Sequence, residues 1–391
     1  MSYQLIPNQL LSSFTETRDH SLFICKPLKT EDFVVQTFEN VSPPKWHLGH
    51  TSWFFEIFVL QQFLPNYKLF NQHFLYIFNS YYNHMGHRVD RDKRGLLTRP
   101  TLKEVLAYQT YINEAMNELF KNDVPQEALK LIEIGIHHEQ QHQELLVYDC
   151  KHILASQVIP SSFAHKAYDL QPESKTTEWH TIDEGLYEIG HEANSFCYDN
   201  EKPRHKVYLE KAALANRLTT NQEFLKFVED DAYQNHKLWH AEAWDYMNRH
   251  QIYAPFYWRK QKGKWSEYKL SDESDLKLEC PVMHVSYYEA AAFAEWAGYQ
   301  LPTEAHWEVC ADRLNWGQLW EWTASAYLPY PKYKKPNGAL GEYNAKFMLN
   351  QKVLRGASVA TSEKHSRKTY RNFFHAHERW MFSGIRLMKT F

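Results

Sequence analysis

The sequence predicts a two-domain α+β protein, an N-terminal four-helix bundle followed by a C-terminal mixed domain with much irregular structure. Three observations carry this expectation. Residues 1–155 hold few glycines and several stretches in which apolar residues recur with a 3.6-residue period. Residues 156–178 lack periodicity and contain Pro160 and Pro172, as a linker does. Residues 179–391 break into short segments punctuated by Gly, Pro, Asn and Trp, the texture of a compact mixed domain.

Taken in order, an early helix is expected over roughly 30–40 and a second over 47–63. Thr101-Leu102-Lys103-Glu104, just after Pro100, reads as a capping box that opens a third helix. Its apolar positions Leu102, Val105, Leu106, Ile112, Met116, Leu119 and Phe120 mostly share one face. Pro125 punctuates, and a fourth helix is expected from Gln126 to His152. On it Leu131, Ile134, His138, His142 and Leu145 lie on one side, which turns two imidazoles toward the bundle interior. In the second domain the pattern supports short helices at 219–229 and 286–297.

Lys plus Arg number 44 and Asp plus Glu 47, a formal charge of −3 that points to neither nucleic acid nor an anionic membrane as partner. Cys25, Cys150, Cys197, Cys280 and Cys310 are odd in number, with no C-x-x-C pair, and read as reduced thiols of a cytoplasmic protein. The opening residues MSYQLIPNQLLSSFTETRDH lack a basic start followed by an apolar run, so no secretory signal is expected. No stretch reaches the ~18 apolar residues of a membrane span. The chain is expected to be soluble. Thirteen Trp, 25 Tyr and 23 Phe are more than packing usually needs, so some are candidates to line a pocket.

His138-Glu139-Gln140-Gln141-His142 sets two imidazoles four residues apart on an inward helix face, within reach of one metal ion. Burying both without a partner costs free energy, and a metal offsets that cost. Trp46-His47-Leu48-Gly49-His50 offers a third imidazole from His50 or His47, which share a face; His137 is rotated away from His138. Three neutral imidazoles leave coordination positions open, as a catalytic metal requires. H-E-x-x-H is also the zinc-peptidase pattern, with Glu139 as general base, but no downstream third ligand is evident. Arg88, Arg91, Arg94 and Arg99 could clamp a carboxylate through guanidinium forks, or could form a solvated loop paired with Asp90 and Asp92. Asn372, Phe373, Phe374, Arg379 and Trp380 combine aromatics with an amide and a cation, the elements of a cage for a quaternary ammonium group.

The segments WHLGHTSWFFE (46–56), FNSYY (78–82), RGLLTRP (94–100), HHEQQHQEL (137–145), LPTEAHWE (301–308), LWEWTAS (319–325), VLRGAS (353–358), TYRNFF (369–374) and FSGIRL (382–387) occur in that order. Together they resemble the ergothioneine-type sulfoxide synthases, over nearly the whole chain. The resemblance implies a DinB-like helical bundle at 1–155 and a formylglycine-generating-enzyme (C-type-lectin-like) domain at 179–391. It implies a mononuclear non-heme Fe(II) enzyme that uses O2 to join a thiol to the imidazole carbon of hercynine, trimethylhistidine, as a sulfoxide. By the same resemblance the iron ligands are His50, His138 and His142. Tyr81 or Tyr82 is the active-site acid, Gln141 hydrogen-bonds the imidazole substrate, and Asn372, Phe373 and Phe374 hold its trimethylammonium and carboxylate end. Arg88, Arg91 and Arg94 take the carboxylate of the thiol substrate.

Members that use γ-glutamylcysteine carry an acidic residue and an arginine where this chain has Phe374 and Glu378, which favours free cysteine. The stretch between LPTEAHWE and LWEW is short here, only Val309 to Leu319, which bears on the pocket's shape. Formylglycine generation needs a reactive cysteine pair, and Cys280 and Cys310 fit no such pattern. Alternatives to the leading expectation are a histidine–cysteine synthase of the ovothiol type, a selenium-using analogue, and a binding module without turnover. The absence of an acidic residue within 372–374 favours the methylated amine of hercynine over a free α-amine.

Overall fold

The computed structural model describes residues 5–80, 88–163, 168–192, 195–336 and 343–391. The chain divides into two compact units, one formed by Met1–Ala164 with Thr361–His365, the other by His165–Ala360 with Ser366–Phe391. The first is helical and the second mixes helices with small sheets, an α+β protein.

In the helical unit, α1 (Pro7–Cys25), α2 (Pro44–Phe55), α5 (Leu102–Phe120) and α6 (Gln126–Ala155) pack as a four-helix bundle, with α1 and α2 each against both α5 and α6. The backbone of α2 runs on through a π-helical turn, Glu56–Leu60, into the short α3 (Gln61–Phe63), and α4 (Phe74–Ile77) follows. The first bundle helix is therefore not at 30–40, where there is only a 3₁₀ turn, Thr30–Val34. It starts with Pro7 in its first turn, where the missing N–H costs nothing, and buries Leu10, Phe14 and Ile24 together with Thr17, Arg18 and Ser21. A polar mid-section on the inner face hides the apolar period.

The Arg18 guanidinium explains that mid-section. It donates to Thr51 and Ser52 on α2, Asn113 on α5 and Glu139 on α6, so one buried side chain of α1 ties together all four helices. The capping box of α5 forms as expected, with Glu104 N donating to Thr101 Oγ1 and Thr101 N to Glu104 Oε2. Val105, Ile112, Met116 and Leu119 are buried, while Leu106 is exposed. On α6 the burial is broader than a single stripe: His138 is buried, and so are Ile132, Ile136, Glu139, Gln143 and Leu146, whereas Leu131, Ile134 and Leu145 are half-buried. Helix α6 packs on two neighbours, so its buried surface spreads around it.

Two glycines set helix spacing. A Cβ on Gly135 would lie 2.5 Å from Phe55 Cε1, and one on Gly49 would lie 2.2 Å from Phe78 Cε1. Thr361 donates to Glu144 and Ser362 to Gln143, and His365 lies against His137 and Gln140, so residues 361–365 cover one flank of α6.

The second unit has strands β1 (Trp179–Ile182), β2 (Gly185–Ile189), β3 (His205–Leu209) and β4 (Ala212–Ala215), then α7 (Asn221–Glu229), α8 (Ala241–His250), β5 (Trp258–Gln261), β6 (Lys264–Tyr268) and β7 (Glu273–Asp275). After these come α9 (Tyr287–Trp296), α10 (Glu304–Cys310), β8 (Trp320–Ala326), β9 (Gln351–Gly356), β10 (Asn372–His375), β11 (Ser383–Gly384) and β12 (Met388–Thr390). They form sheets in the orders β1-β4-β12, β10-β9-β8-β11 and β5-β6-β7, and the hairpin β2-β3. Helices α8 and α10 add to the two that the sequence predicts.

Buried charges organise this unit. Arg386 forks onto both oxygens of Glu321, at 2.6 and 2.7 Å. Arg371 forks onto Glu304, at 2.8 and 2.9 Å, and Arg355 reaches Glu304 and Glu308. Burial pushes the Glu304 carboxyl up, but the two guanidiniums outweigh it and hold the group below the usual carboxylate range. The short stretch 309–319 is tied down: Arg386 donates to Asn315 O, Arg313 to Thr181 O, and Trp316 packs edge-on to Trp307. Among the described residues no helix is long and apolar enough to cross a membrane.

Candidate metal centre and substrate-binding residues

His50 comes from α2 and His138 and His142 from successive turns of α6. Among the described residues these three form a group whose ligand atoms all lie within 4.8 Å of one another. Their rings make a nearly equilateral triangle, with centroids 4.7, 4.7 and 4.9 Å apart. Burial pushes the His138 pKa down to about 3. Burial first, and then the neighbouring imidazoles, hold His50 and His142 well below the ordinary histidine value. All three rings are therefore neutral near pH 7 and carry lone pairs.

Two of the rings are also oriented by hydrogen bonds, His50 and His142. His50 Nδ1 donates to the carbonyl of Phe78 at 2.6 Å, which leaves Nε2 as the lone-pair nitrogen. Trp46 stacks on the His50 ring at 4.6 Å and 14°, and the guanidinium of Arg94 lies 3.3 Å over the Trp46 ring. His47 does not join the triangle. Its Nδ1 lies 2.9 Å from His142 Nδ1, and its Nε2 lies 2.9 Å from Asp149 Oδ2. Three neutral imidazoles with no thiolate or carboxylate suit a divalent iron, copper, nickel or zinc ion and leave coordination positions for substrates. The donor set fits the Fe(II) that the sequence motifs imply.

Glu139 lies on the other side of α6. Its carboxylate is fully buried, with Oε2 2.8 Å from Arg18 Nη1 and Oε1 accepting from Ser21 Oγ at 2.6 Å. A group so engaged cannot serve as a general base, which removes the peptidase reading of H-E-x-x-H.

The arginines lie in the same unit. Arg88, Arg91 and Arg94 line a cavity of about 220 Å³ with Ser80, Val89, Asp90 and Asp92. Arg88 donates to Ser80 O and Arg91 to Asn40 O. Arg94 is buried and donates to Ser42 Oγ and Ser80 Oγ. Asp90 pairs with Lys93, at 2.7 Å, and Arg99 donates to the Thr98 carbonyl outside this cavity. Gln141 is half-buried on α6. Tyr81 and Tyr82 lie outside the described residues.

In the second unit, β10 carries Asn372, Phe373 and Phe374, all half-buried, with Arg371 immediately before them locked on Glu304. Phe373 stacks on Tyr327 at 4.1 Å and 11°, and Phe374 meets Trp380 edge-on at 5.5 Å. Glu378 accepts from the His375 amide at 2.9 Å and so caps the turn that follows β10.

Asp149 was not singled out in the sequence, although it lies two helical turns beyond His142 and so on the same face. Only the fold reveals the carbonyl of Phe78 as a partner, because a backbone group carries no residue signature.

Comparison with known proteins bears on the family to which the chain is similar. Residues 165–315 match the Sulfatase-modifying factor enzyme 1-like domain. The chain is similar to the hercynine oxygenase of Mycobacterium tuberculosis, 29% identical over 244 residues covering 48% of this chain and 55% of that protein. The hercynine oxygenase of Mycolicibacterium thermoresistibile is 27% identical over 250 residues, 49% of this chain and 54% of that protein. The formylglycine-generating enzyme of Bos taurus is 28% identical over 162 residues, 38% of this chain and 43% of that protein. The chain spans about half the length of the hercynine oxygenases it matches. The domain match and these relatives support the resemblance to the ergothioneine-type sulfoxide synthases that the motifs carry.

Proposed function

We propose that this protein, by its resemblance one of the ergothioneine-type sulfoxide synthases, is an O2-dependent, Fe(II)-using hercynine oxygenase that joins hercynine to free cysteine. The observation that carries the reading is the triangle of neutral imidazoles at His50, His138 and His142, in a chain similar to proteins named hercynine oxygenase. The overall reaction balances without a further reductant. The imidazole C–H and the thiol S–H are lost, a C–S bond and an S–O bond form, and the four electrons removed reduce O2, one oxygen ending on sulfur and the other in water. Bound iron would supply the redox chemistry that brings O2 into reaction with the two substrates.

The residues of the chain bind and orient. His50, His138 and His142 would hold the metal, and three protein ligands would leave coordination open for substrates. Gln141 hydrogen-bonds the imidazole of hercynine. Asn372 takes its carboxylate, and Phe373 and Phe374 offer ring faces to its trimethylammonium group, worth about 0.5–2 kcal/mol per good contact. Arg88 and Arg91 fork onto the cysteine carboxylate, and Arg94 adds positive charge from its fixed place between Ser42 and Ser80. Tyr82 or Tyr81 supplies the proton. Free cysteine is favoured over γ-glutamylcysteine because the chain has Phe374 and Glu378 where members that use γ-glutamylcysteine carry an acidic residue and an arginine.

The test is mass spectrometry of products after aerobic incubation of the Fe(II)-loaded protein with hercynine and histidine in competition, and with both thiols present. Hercynyl-cysteine sulfoxide is the expected product. A histidine adduct alone would replace the reading with an ovothiol-type one, and a γ-glutamylcysteine adduct would overturn the thiol assignment. No adduct from an iron-loaded protein would leave a binding module.

A further inference from the structure

A second histidine lies against the metal-binding triangle without belonging to it. His47 and Asp149 are both almost fully buried. Asp149 Oδ2 accepts from Ser42 N at 2.8 Å and lies 2.9 Å from His47 Nε2. A carboxylate oxygen that already accepts from an amide can only accept again, so His47 Nε2 carries the proton. In a neutral ring this makes His47 Nδ1 an acceptor. The nitrogen 2.9 Å away, His142 Nδ1, must then be the donor. His142 is thereby fixed as the Nδ1–H tautomer, and its lone pair is on Nε2.

We propose that His47, held by Asp149, is a positioning residue that fixes the tautomer and ring plane of His142 and so commits His142 Nε2 to the metal. The inference rests on the reading of His50, His138 and His142 as metal ligands. The line is continuous: Asp149 sets the His47 tautomer, and His47 sets that of His142. It differs from the support of His50, which uses a backbone carbonyl that no substitution removes. The hydrogen bond on His142 depends on side chains, so it can be dissected by mutation.

Groups that orient a metal-bound histidine typically change metal affinity by about 10- to 100-fold when removed. The experiment uses the full chain, loaded anaerobically with Fe(II) and, in parallel, with Co(II). Affinity is read by chelator competition, and the ligand field by the Co(II) visible spectrum and by electron paramagnetic resonance of the nitric oxide adduct of the Fe(II) form. His47→Ala and Asp149→Ala are expected to weaken metal binding about 10- to 100-fold and to alter both spectra at full loading. His47→Gln, whose amide offers an acceptor and a donor, and Asp149→Asn, which keeps an acceptor oxygen, are expected to restore most of the affinity and the parent spectra.

Unchanged affinity and spectra in His47→Ala would overturn the proposal, and so would a His47→Gln variant no better than His47→Ala. If the alanine variants fail to fold, His47→Phe, which keeps a ring but offers no hydrogen-bonding nitrogen, takes their place. Weakened affinity and altered spectra in His47→Phe, restored in His47→Gln, support the proposal, and parent-like values in His47→Phe overturn it. A parent protein that binds neither metal would instead remove the metal-site reading itself.

Discussion

Arg18 and Glu139 form an ion pair from which water is excluded, and removing Glu139 leaves the buried guanidinium without its carboxylate partner. Glu139→Ala is expected to cost about 3–5 kcal/mol, as breaking buried pairs does. Chemical unfolding would show a midpoint shifted well to lower denaturant, and a curve overlaying the parent would contradict the assignment of Glu139 as structural. His152 provides a second residue-scale test. Burial lowers its pKa to about 4, with the Asp149 charge acting in the opposite direction. As pH falls below about 6.5 the unfolded chain takes up a proton that the folded His152 refuses, so stability declines until about pH 4 and then levels. The slope is about 1.4 kcal/mol per pH unit, roughly 3 kcal/mol in all. His152→Gln, compared with the parent over that window by thermal unfolding, should lose less stability on acidification. Identical pH dependence would mean that His152 titrates alike in both states.

Helix α2 shows how an element can be specified by what it must approach. Its WHLGH segment needs glycine at position 49 because the ring of Phe78 occupies the space of a Cβ. Phe78 in turn supplies the carbonyl that orients His50. Gly49→Ala adds about 1 kcal/mol of helix propensity but forces the ring away, an overpacking cost of about 1–3 kcal/mol. The expected result is a net loss of stability together with weaker metal binding. A variant more stable than the parent, with unchanged metal affinity, would count against this account. Helix α5 was readable because its capping box and apolar face are local signals. Helix α1 was not, because Thr17, Arg18 and Ser21 interrupt its inner face to serve partners far along the chain. The same logic explains α6: the spacing of His138 and His142 is visible in one dimension, but the second buried face around Glu139 exists only against α1.

At the scale of the molecule, the α+β division and the His138–His142 pair were legible because they follow from texture and spacing. The choice of His50 over His47 was not legible from spacing, since both share a face of α2. It depends on Asp149, which pulls His47 toward α6. Metal binding is expected to stabilise the folded protein as a whole, by about 2.7 kcal/mol when free metal is 100 times its dissociation constant. Differential scanning calorimetry with increasing Co(II) should show an upward shift that a chelator reverses and that His138→Ala abolishes.

Residues 361–365 belong to the helical unit although most of the other unit lies between them and α6 in the sequence. The order of synthesis therefore matters. A nascent chain that has just completed α6 holds His50, His138 and His142 but lacks the hydroxyls of Thr361 and Ser362 that engage Glu144 and Gln143. The helical unit reaches its finished form only after residues 361–365 have left the ribosome. A fragment cut at the linker repeats that unfinished state, and its metal affinity measures what those five late residues contribute.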